Sequence, residues 1–436
     1  MPFENDPQRA LSLAWYAQRK PVFTGGNQVR LLRGATELFA AQIRAIDDAQ
    51  HSVWMATYLV SDQGMATQVL EALGRAAQRG VEVHLVVDGL GSRLVPASVW
   101  LGLRDRGVQV AIYRPLGRLW TALWDRSIWR RMHVKLCVID QELAFTGGIN
   151  LIDDHYDLSH GWSSEPRLDY AVQFRGPAVT PALHTARAMW TRAMLGRDWR
   201  DDLSDWVRDP ARLRRLRQLW QEARLRLTPA EHSQVVSSTG VRQPMRAAFV
   251  LRDNLRQRRT IERAAQQAIH QARATVDIVT PYFYPGRALR RALRQAAGRG
   301  VRVRLLLQGK VDYPIAGLAA RVLYGELQQH GVRIFEYHTA WLHAKVLCVD
   351  GEWATVGSSN LDPLSLLLNL EANLIVRDRG FAHTVNQALS QDFSRSREVP
   401  PPVFGSTVSS RSRLTRAFVA WCAKTYLRLA GIVRRY

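Results

Sequence analysis

The chain has 436 residues, 47% of them hydrophobic and 22% charged, a composition that excludes a mostly disordered protein. Its 60 Lys and Arg residues against 38 Asp and Glu residues give a net charge of +22, which predicts an anionic partner: nucleic acid, an acidic membrane surface or a phosphorylated substrate. No apolar stretch of about 18 uncharged residues, no secretory signal and no disulfide framework is visible, so we expect no membrane-spanning helix and a reducing cytosol as the simplest location.

Strand and helix patterns alternate along the chain and occur twice. Residues 51–60 and 274–283 are typical of strands, and each follows a helical pattern. The segment RAAQRGVEVHLVVDG at 75–89 then recurs as QAAGRGVRVRLLLQG at 295–309, where a helix ends at Gly80 or Gly300 and an apolar strand follows. RGVQVAIY at 106–113 recurs as HGVRIFEY at 330–337. The duplication predicts two homologous α/β lobes, each with a parallel or mixed sheet flanked by helices.

The remaining segments set the expected domain boundaries. We expect an N-terminal segment at 1–26, a first lobe at 27–176, a helical connector rich in Arg and Trp at 177–246, and a second lobe at 247–398. Helices are predicted in the connector at 182–194 and 210–227. A Pro-rich break and a basic amphipathic tail occupy 399–436, and the tail has two interpretations: a helix on anionic lipid, or a terminal helix packed on its own domain.

A polar motif occurs once in each lobe. The first copy reads MHVKLCVIDQELAFTGGIN and the second LHAKVLCVDGEWATVGSSN; in both, lysine follows histidine by two residues, aspartate by seven and asparagine by seventeen. Alternate residues of a strand share one face, so each histidine points the same way as its lysine. An acidic residue recurs farther along, in LDYAVQF and LEANLIV. The candidate site residues are His133, Lys135, Asp140, Asn150 and Asp169 in the first lobe, and His343, Lys345, Asp350, Asn360 and Glu371 in the second.

The lysines of the motif stand out against the composition. The chain has only five lysines against 55 arginines, and two of the five, Lys135 and Lys345, occupy matching motif positions. A compact ammonium and a planar guanidinium fit a crowded phosphate differently, so this choice indicates a phosphate site. A lone His-x-Lys would indicate only the polar end of a core strand, but two copies with shared spacings favour a functional site.

These motifs resemble the phospholipase D superfamily, which carries HxKxxxxD twice per active unit. The resemblance covers both lobes, roughly residues 27–377, and within the superfamily the phrases RRMHVKLCVID…AFTGGIN and LHAKVLCVD…ATVGSSNLDPLSLLLNLEAN are most similar to bacterial cardiolipin synthases without N-terminal transmembrane helices. Val134 departs from the pattern, since relatives often have Arg there. The resemblance implies an α/β fold of two phospholipase-D-like lobes with one active site at the lobe interface.

The resemblance also implies a reaction. The expected enzyme is a phosphatidyltransferase that makes cardiolipin from phosphatidylglycerol and a second phospholipid, which includes phosphatidylethanolamine as a candidate, through a phosphohistidine intermediate. By family analogy His133 is the nucleophile, and His343 is the acid that protonates the leaving oxygen and then the base that activates the acceptor.

The other motif residues receive supporting roles from their chemistry. Lys135 and Lys345, with the Asn150 and Asn360 amides, are expected to hold the phosphate oxygens. The downstream acids, Asp169 and Glu371, are each expected to hydrogen-bond a ring nitrogen of a histidine. Asp140 and Asp350 are grouped with the catalytic motif but are better placed to brace the following turn. No cofactor and no metal is expected, because two lysines already supply the positive field.

A route to lipid is expected just before the first motif. The insertion at 114–131 places Trp120, Trp124 and Trp129 among arginines, which is typical either of a membrane-docking lip or of an ordinary packed helix; we favour the lip. The resemblance implies peripheral attachment at the cytoplasmic face of the bacterial inner membrane. The alternatives are a hydrolase that uses water, acting on lipid or nucleic acid, and a non-catalytic membrane adaptor. The Trp-rich insertion and the phrase LDPLSLLLNLEAN favour lipid over nucleic acid, and the oligomeric state is left open.

Overall fold

The computed structural model describes residues 16, 18–115, 131–158, 161–194, 245–253, 257–283, 285–310, 321, 323–360 and 369–401. The predicted Trp-rich lip, the predicted helix at 210–227 and the basic tail lie outside these residues. Within them, no helix is both long enough and apolar enough to cross a bilayer.

The first lobe alternates strands with helices. Its elements are β1 (Thr24–Arg33), α1 (Gly34–Asp47), β2 (Ser52–Thr57), α2 (Met65–Gln78), β3 (Glu82–Asp88), α3 (Ala97–Asp105), β4 (Gln109–Tyr113), β5 (Leu136–Ile139), β6 (Leu143–Gly147), β7 (Tyr156–Asp157), β8 (Gly161–Trp162), β9 (Tyr170–Arg175) and α4 (Val179–Met194). The helix predicted at 182–194 is thus α4, which begins a few residues earlier.

The second lobe repeats the pattern. Its elements are β10 (Met245–Arg252), α5 (Thr260–Gln271), β11 (Thr275–Val279), α6 (Arg287–Gly298), β12 (Arg302–Gln308), β13 (Arg333–Tyr337), β14 (Val346–Val349), β15 (Trp353–Gly357), β16 (Glu371–Arg377), α7 (Arg379–Ser394) and β17 (Arg397–Glu398). The first strands of the lobes begin at Thr24 and Met245, before the expected boundaries at 27 and 247, because they pair with each other across the lobe junction.

The predicted local signals are found in both lobes. Gly80 and Gly300 follow α2 and α6 with positive φ angles of 90° and 87°, a conformation that glycine adopts without a steric penalty. In α6 the buried residues are Leu289, Ala292, Leu293 and Ala296, the spacing of one helical face, while its arginines face outward. Apolar burial on that single face attaches the helix to the sheet.

All strands except β7 and β8 form one sheet of fifteen strands, in the order β17-β13-β12-β11-β14-β15-β16-β10-β1-β9-β6-β5-β2-β3-β4. Strands β2, β3 and β4 are parallel, as are β11, β12 and β13, whereas the strands between them are antiparallel. Counted outward from the β1–β10 pair, the two halves have the same order of seven equivalent strands, and the second half adds the short edge strand β17. This symmetry confirms the two homologous mixed α/β lobes.

The core is continuous across the lobe junction. One apolar cluster contains Phe174 of the first lobe and Phe249 of the second, whose ring centroids are 6.4 Å apart. The same cluster contains Met132 and Leu342, each of which precedes a motif histidine. Because the segments that carry the two histidines pack into one shared core, the two motifs are held in a fixed relation to each other.

Candidate active site

Backbone hydrogen bonds join the two lobes where the motifs begin. His133 N–H donates to the Leu370 carbonyl at 3.0 Å, next to Glu371, and His343 N–H donates to the Leu168 carbonyl at 2.9 Å, next to Asp169. Isolated β-bridges between Met132 and Leu370, and between Leu168 and Leu342, join the same segments of the two lobes. Each histidine is therefore placed beside the acidic residue of the opposite lobe.

The side chains follow the same crossed arrangement. Glu371 Oε2 lies 3.1 Å from His133 Nδ1, and Asp169 Oδ2 lies 2.7 Å from His343 Nδ1. The two imidazole centroids are 6.4 Å apart, so the motifs form a single site. A carboxylate at Nδ1 favours the tautomer that carries its proton there, which leaves the Nε2 lone pair of each ring for chemistry. The expected contact of each acid with a histidine is present, and the pairing between lobes is the added finding.

Both acids are buried and held by further donors. Asp169 is 1% exposed, and its Oδ1 accepts from Tyr170 N–H at 2.8 Å. Burial opposes its ionisation, but His343 and Lys345 together keep the pKa of the Asp169 carboxyl below its usual value. Glu371 is fully buried, and its Oε2 also accepts from the Ser358 hydroxyl at 2.5 Å.

The two acid positions differ in one structural detail. Gly148 and Ser358 are equivalent in the repeat, but a Cβ atom at Gly148 would lie 2.2 Å from Asp169 Oδ1. Glycine is thus required where the aspartate approaches the backbone, whereas the serine at 358 donates to the longer glutamate. The sequence shows that the two positions carry different residues, but it does not indicate how each residue accommodates the neighbouring acid.

The motif lysines are buried beside the histidines. Lys135 and Lys345 are 5% and 3% exposed, and each ammonium donates to the carbonyl of its own motif histidine, Lys135 to His133 at 2.9 Å. Burial lowers the pKa of Lys135 to about 7; Glu371 opposes that shift and Lys345 adds to it. A bound anion would therefore favour the charged form of Lys135.

The surroundings of both motif histidines favour the neutral imidazole. Burial, the largest cause, lowers the pKa of His343 to about 3, with Lys345 adding to the shift and Asp169 opposing it. Burial likewise lowers the pKa of His133, against the opposing effect of Glu371. A neutral imidazole with a free Nε2 is the form that a nucleophile requires.

The motif aspartates do not reach this site. Asp140 accepts from the backbone N–H groups of Gln50, His51 and Ser52 at 2.8 Å each. Asp350 does the same for residues 273–275, before β11. These aspartates end β5 and β14, whereas the histidines precede those strands. These contacts support a bracing role: the two aspartates hold the loops that lead into β2 and β11, rather than the turns after β5 and β14.

The asparagines lie in buried positions after the motif strands. Asn150 is 4% exposed and its Oδ1 accepts from Leu59 N–H at 3.3 Å, while Asn360 is 7% exposed. The role of both amides as phosphate donors stays a prediction.

Three residues that the sequence analysis did not single out also contribute to the site. The Tyr58 ring centroid lies 5.0 Å from that of His133, and Lys135 Nζ lies 5.4 Å from the Tyr58 ring. Asp88 Oδ2 accepts from Met132 N–H at 3.0 Å, and Gln308 Oε1 accepts from Leu342 N–H at 2.9 Å. Asp88 and Gln308 match in the repeat, in VVDG and LLQG, which is the signal that could have identified them as supports for the histidine segments.

Among the described residues no group of three or more His, Cys, Asp or Glu side chains is arranged to hold a metal ion. Two neutral imidazoles with carboxylates behind them, flanked by two buried lysines, suit nucleophilic attack on a phosphodiester. The fold and the site thus define a phosphodiester-transfer enzyme of the phospholipase D type, built from two lobes.

Comparisons with known proteins identify the family. The family model described as "Cardiolipin synthase, PLD-like domain" matches residues 42–161 and 266–396, one match in each lobe. Cardiolipin synthase B of Escherichia coli strain K12 is 37% identical over 84% of this chain and 80% of its own length. Cardiolipin synthase A of Cronobacter sakazakii is 31% identical over 90% of this chain and 75% of its own length.

A solved structure supports the fold. The crystal structure of phosphatidylserine synthase from Haemophilus influenzae matches 97% of this chain and 99% of its own chain, with a TM-score of 0.63 and 14% identity. The family-model match and the two cardiolipin synthases show that the chain belongs to the cardiolipin synthase family of phosphatidyltransferases in the phospholipase D superfamily.

Proposed function

We propose that this protein forms cardiolipin from phosphatidylglycerol and a second phospholipid, with a histidine as the covalent carrier. The observation that carries the proposal is the pair of imidazoles 6.4 Å apart, each backed by the buried acid of the opposite lobe. The curated relatives are named cardiolipin synthases, and their similarity spans most of the chain.

In the first step His133 Nε2 attacks the phosphorus of phosphatidylglycerol. The bond from phosphorus to the glycerol headgroup oxygen breaks, and His343 supplies the proton that this oxygen needs to leave. The lowered pKa of His343 favours its neutral form, so it takes up that proton from solvent when the phosphodiester binds, because the substrate's negative charge and Asp169 both favour the imidazolium. The enzyme then holds a phosphatidyl group on His133.

In the second step His343, now neutral, removes the proton from a glycerol hydroxyl of a phosphatidylglycerol acceptor. The freed oxygen attacks phosphorus, the bond to His133 Nε2 breaks, and cardiolipin leaves. If the second phospholipid is phosphatidylethanolamine, it must be the phosphatidyl donor of the first step, with ethanolamine as the leaving group, because its headgroup has no hydroxyl. Lys135 and Lys345 stabilise the charge on the phosphoryl oxygens in both steps, and their burial strengthens this interaction. Two substitutions at phosphorus return the histidine to its starting state.

Phospholipid substrates require contact with a membrane surface. The net charge of +22 favours anionic lipid, and Trp162, on β8 shortly after the first motif, is 61% exposed. Together with the predicted lip at Trp120, Trp124 and Trp129, this supports peripheral attachment at the cytoplasmic face of the bacterial inner membrane.

A lipid-product assay tests the function. Purified protein is mixed with phosphatidylglycerol vesicles, with and without phosphatidylethanolamine, and the lipids are analysed by mass spectrometry. We expect cardiolipin from wild type and from the control His383→Ala, whose histidine is exposed on α7, and none from His133→Ala. Sedimentation of the same vesicles reports membrane attachment.

Each other result has a definite meaning. Phosphatidic acid as the sole product would show that water is the acceptor and the protein is a phospholipase. Cardiolipin from His133→Ala at the wild-type rate would refute the covalent role of that residue. The absence of any lipid product would refute the lipid substrate and direct the search to nucleic acid.

A further inference from the structure

A basic groove lies at the end of the sheet opposite the histidines. Its cavity of about 1650 Å³ is lined by five arginines, Arg30, Arg175, Arg246, Arg377 and Arg379. Glu371 begins β16 and Arg377 ends it; likewise Asp169 precedes β9 and Arg175 ends that strand. The length of these strands therefore separates the groove from the active site.

Two of the arginines face each other directly. Arg246 of β10 lies opposite Arg377 of β16 in an antiparallel ladder. Like charges in directly opposite positions destabilise a sheet. Burial and the Arg246 charge together lower the pKa of Arg377. The Arg377 guanidinium lies 4.1 Å from the centroid of the Phe23 ring, which holds its position but brings no negative charge.

Register places four arginines on one face of the sheet. Asn27 of β1 lies opposite Met245 of β10, so their successors, Gln28 and Arg246, point to the other face. In the β1–β9 pair, Gln28 lies opposite Arg175 and Arg30 opposite Gln173. Arg30 and Arg175 therefore share the face of Arg246 and Arg377, across the junction between the lobes.

The acidic residues of the groove are already engaged. Glu352 pairs with Arg379 at 2.5 Å, and Asp378 accepts from Phe381 N–H at 2.8 Å as the cap of α7. Arg175 approaches the exposed Glu142 only to 4.0 Å. Across the described part of the chain, Arg30, Arg246 and Arg377 form no ion pair with a carboxylate. Among the described lining residues, five arginines against the two carboxylates of Glu352 and Asp378 leave the groove with an excess of positive charge.

We propose that this arginine groove binds a phosphate-bearing polyanion, a ligand distinct from the substrate of the histidine site. A planar guanidinium group can donate to two phosphate oxygens at once. Several arginines on one face therefore suit a ligand with more than one phosphate. Such a ligand offsets the repulsion between Arg246 and Arg377. Binding of a phosphate-bearing ligand is inferred from the groove itself; only the choice between a soluble and a lipid ligand rests on the proposed function.

Two source molecules share this chemistry, a soluble phosphate compound and the headgroups of anionic lipid. A bilayer that presents lipid to the histidines lies at the other end of the sheet, which favours the soluble compound. Tripolyphosphate is therefore the first probe, and phosphatidylglycerol vesicles are the second.

Thermal unfolding of the full chain tests the groove. The test variant is Arg246→Gln/Arg377→Gln, and the control is Arg287→Gln/Arg291→Gln, which removes the same charge from exposed positions of α6. Without ligand, the test variant should unfold about 1 °C above wild type, because the like-charge pair is gone. Tripolyphosphate at a hundredfold excess over its Kd should raise the Tm of wild type and control by about 3 °C, and that of the test variant by less than half as much.

The comparison separates the groove from the active site, which all three proteins retain. Equal tripolyphosphate shifts in the three proteins, or no shift in any, would overturn the proposal. If vesicles then act equally on the three, the ligand is a soluble phosphate compound. If vesicles stabilise wild type and control but not the test variant, the groove binds lipid headgroups through the same arginines.

Discussion

The crossed pairing of acids and histidines predicts which variants share a defect. Asp169 lies in the first lobe but contacts His343 of the second, at 2.7 Å, and Glu371 contacts His133 at 3.1 Å. Replacing Asp169 by Asn removes a buried charge and offers an N–H group to His343 Nδ1, which favours the wrong tautomer. Glu371→Gln does the same to His133. Asp169→Asn should therefore behave like His343→Ala, and Glu371→Gln like His133→Ala.

The size of the loss follows from the burial of the acids. Asp169 is 1% exposed and Glu371 is fully buried, so water does not replace the lost carboxylate. The comparable change in a Ser-His-Asp triad lowers kcat roughly 10⁴-fold. We expect a loss of roughly 10²- to 10⁴-fold in turnover, equal to about 3 to 5 kcal/mol of transition-state stabilisation.

A donor with a good leaving group separates the two steps. Phosphatidyl-p-nitrophenol releases nitrophenolate without a proton from His343, so the first step needs only His133 as nucleophile. Asp169→Asn and His343→Ala should give a burst of nitrophenolate and a phosphatidyl adduct on the protein, visible as an added mass. Glu371→Gln and His133→Ala should give neither.

The opposite pattern would refute this reasoning. A burst in Glu371→Gln together with its loss in Asp169→Asn would show either that the pairing is not crossed in solution or that the roles of the histidines are exchanged. The single variants His133→Ala and His343→Ala decide between the two, because they report the histidine roles without involving the acids.

Two further predictions concern the lysine and the glycine of the first lobe. The lowered pKa of Lys135, about 7, means that its ammonium is present below that pH and lost above it, so kcat/KM should fall as pH rises through about 7. Lys135→Arg should flatten this alkaline decrease. An unchanged pH profile in that variant would show that Lys135 does not cause the decrease. Gly148→Ala should lower turnover roughly 10- to 100-fold with little change in Tm, because its Cβ would lie 2.2 Å from Asp169 Oδ1, whereas Gly102→Ala on α3, where a Cβ meets nothing within 4 Å, should leave the rate unchanged.

Much of the fold and the membership of the site could be read from local patterns. The glycines after α2 and α6, and the alternation of helices with apolar strands, depend on neighbouring residues, so the sequence was sufficient to predict them. The duplicated spacing of histidine, lysine and asparagine likewise pointed to a functional motif, and the family resemblance implied that both copies form one site. The acids were harder, since they follow the histidines at different distances in the two lobes.

Contacts between distant segments were decided by the tertiary structure. The exchange of Asp169 and Glu371 between lobes depends on hydrogen bonds that join residues 168 and 343, and residues 133 and 370, which no sequence spacing encodes. Asp140 and Asp350 belong to the motif in sequence, but β5 and β14 lie between them and the histidines, so they lie at the opposite ends of these strands.

The sequence by itself determined the two α/β lobes, the family resemblance and the chemical types of the site residues, because hydrophobic periodicity and motif spacing are local properties. Tertiary structure alone decided which acid serves which histidine and how far burial shifts the pKa of Lys135 and His343. It also brought arginines from four strands onto one face of the lobe junction. These features depend on strand register and on the exclusion of water, and both arise only when the two lobes pack together.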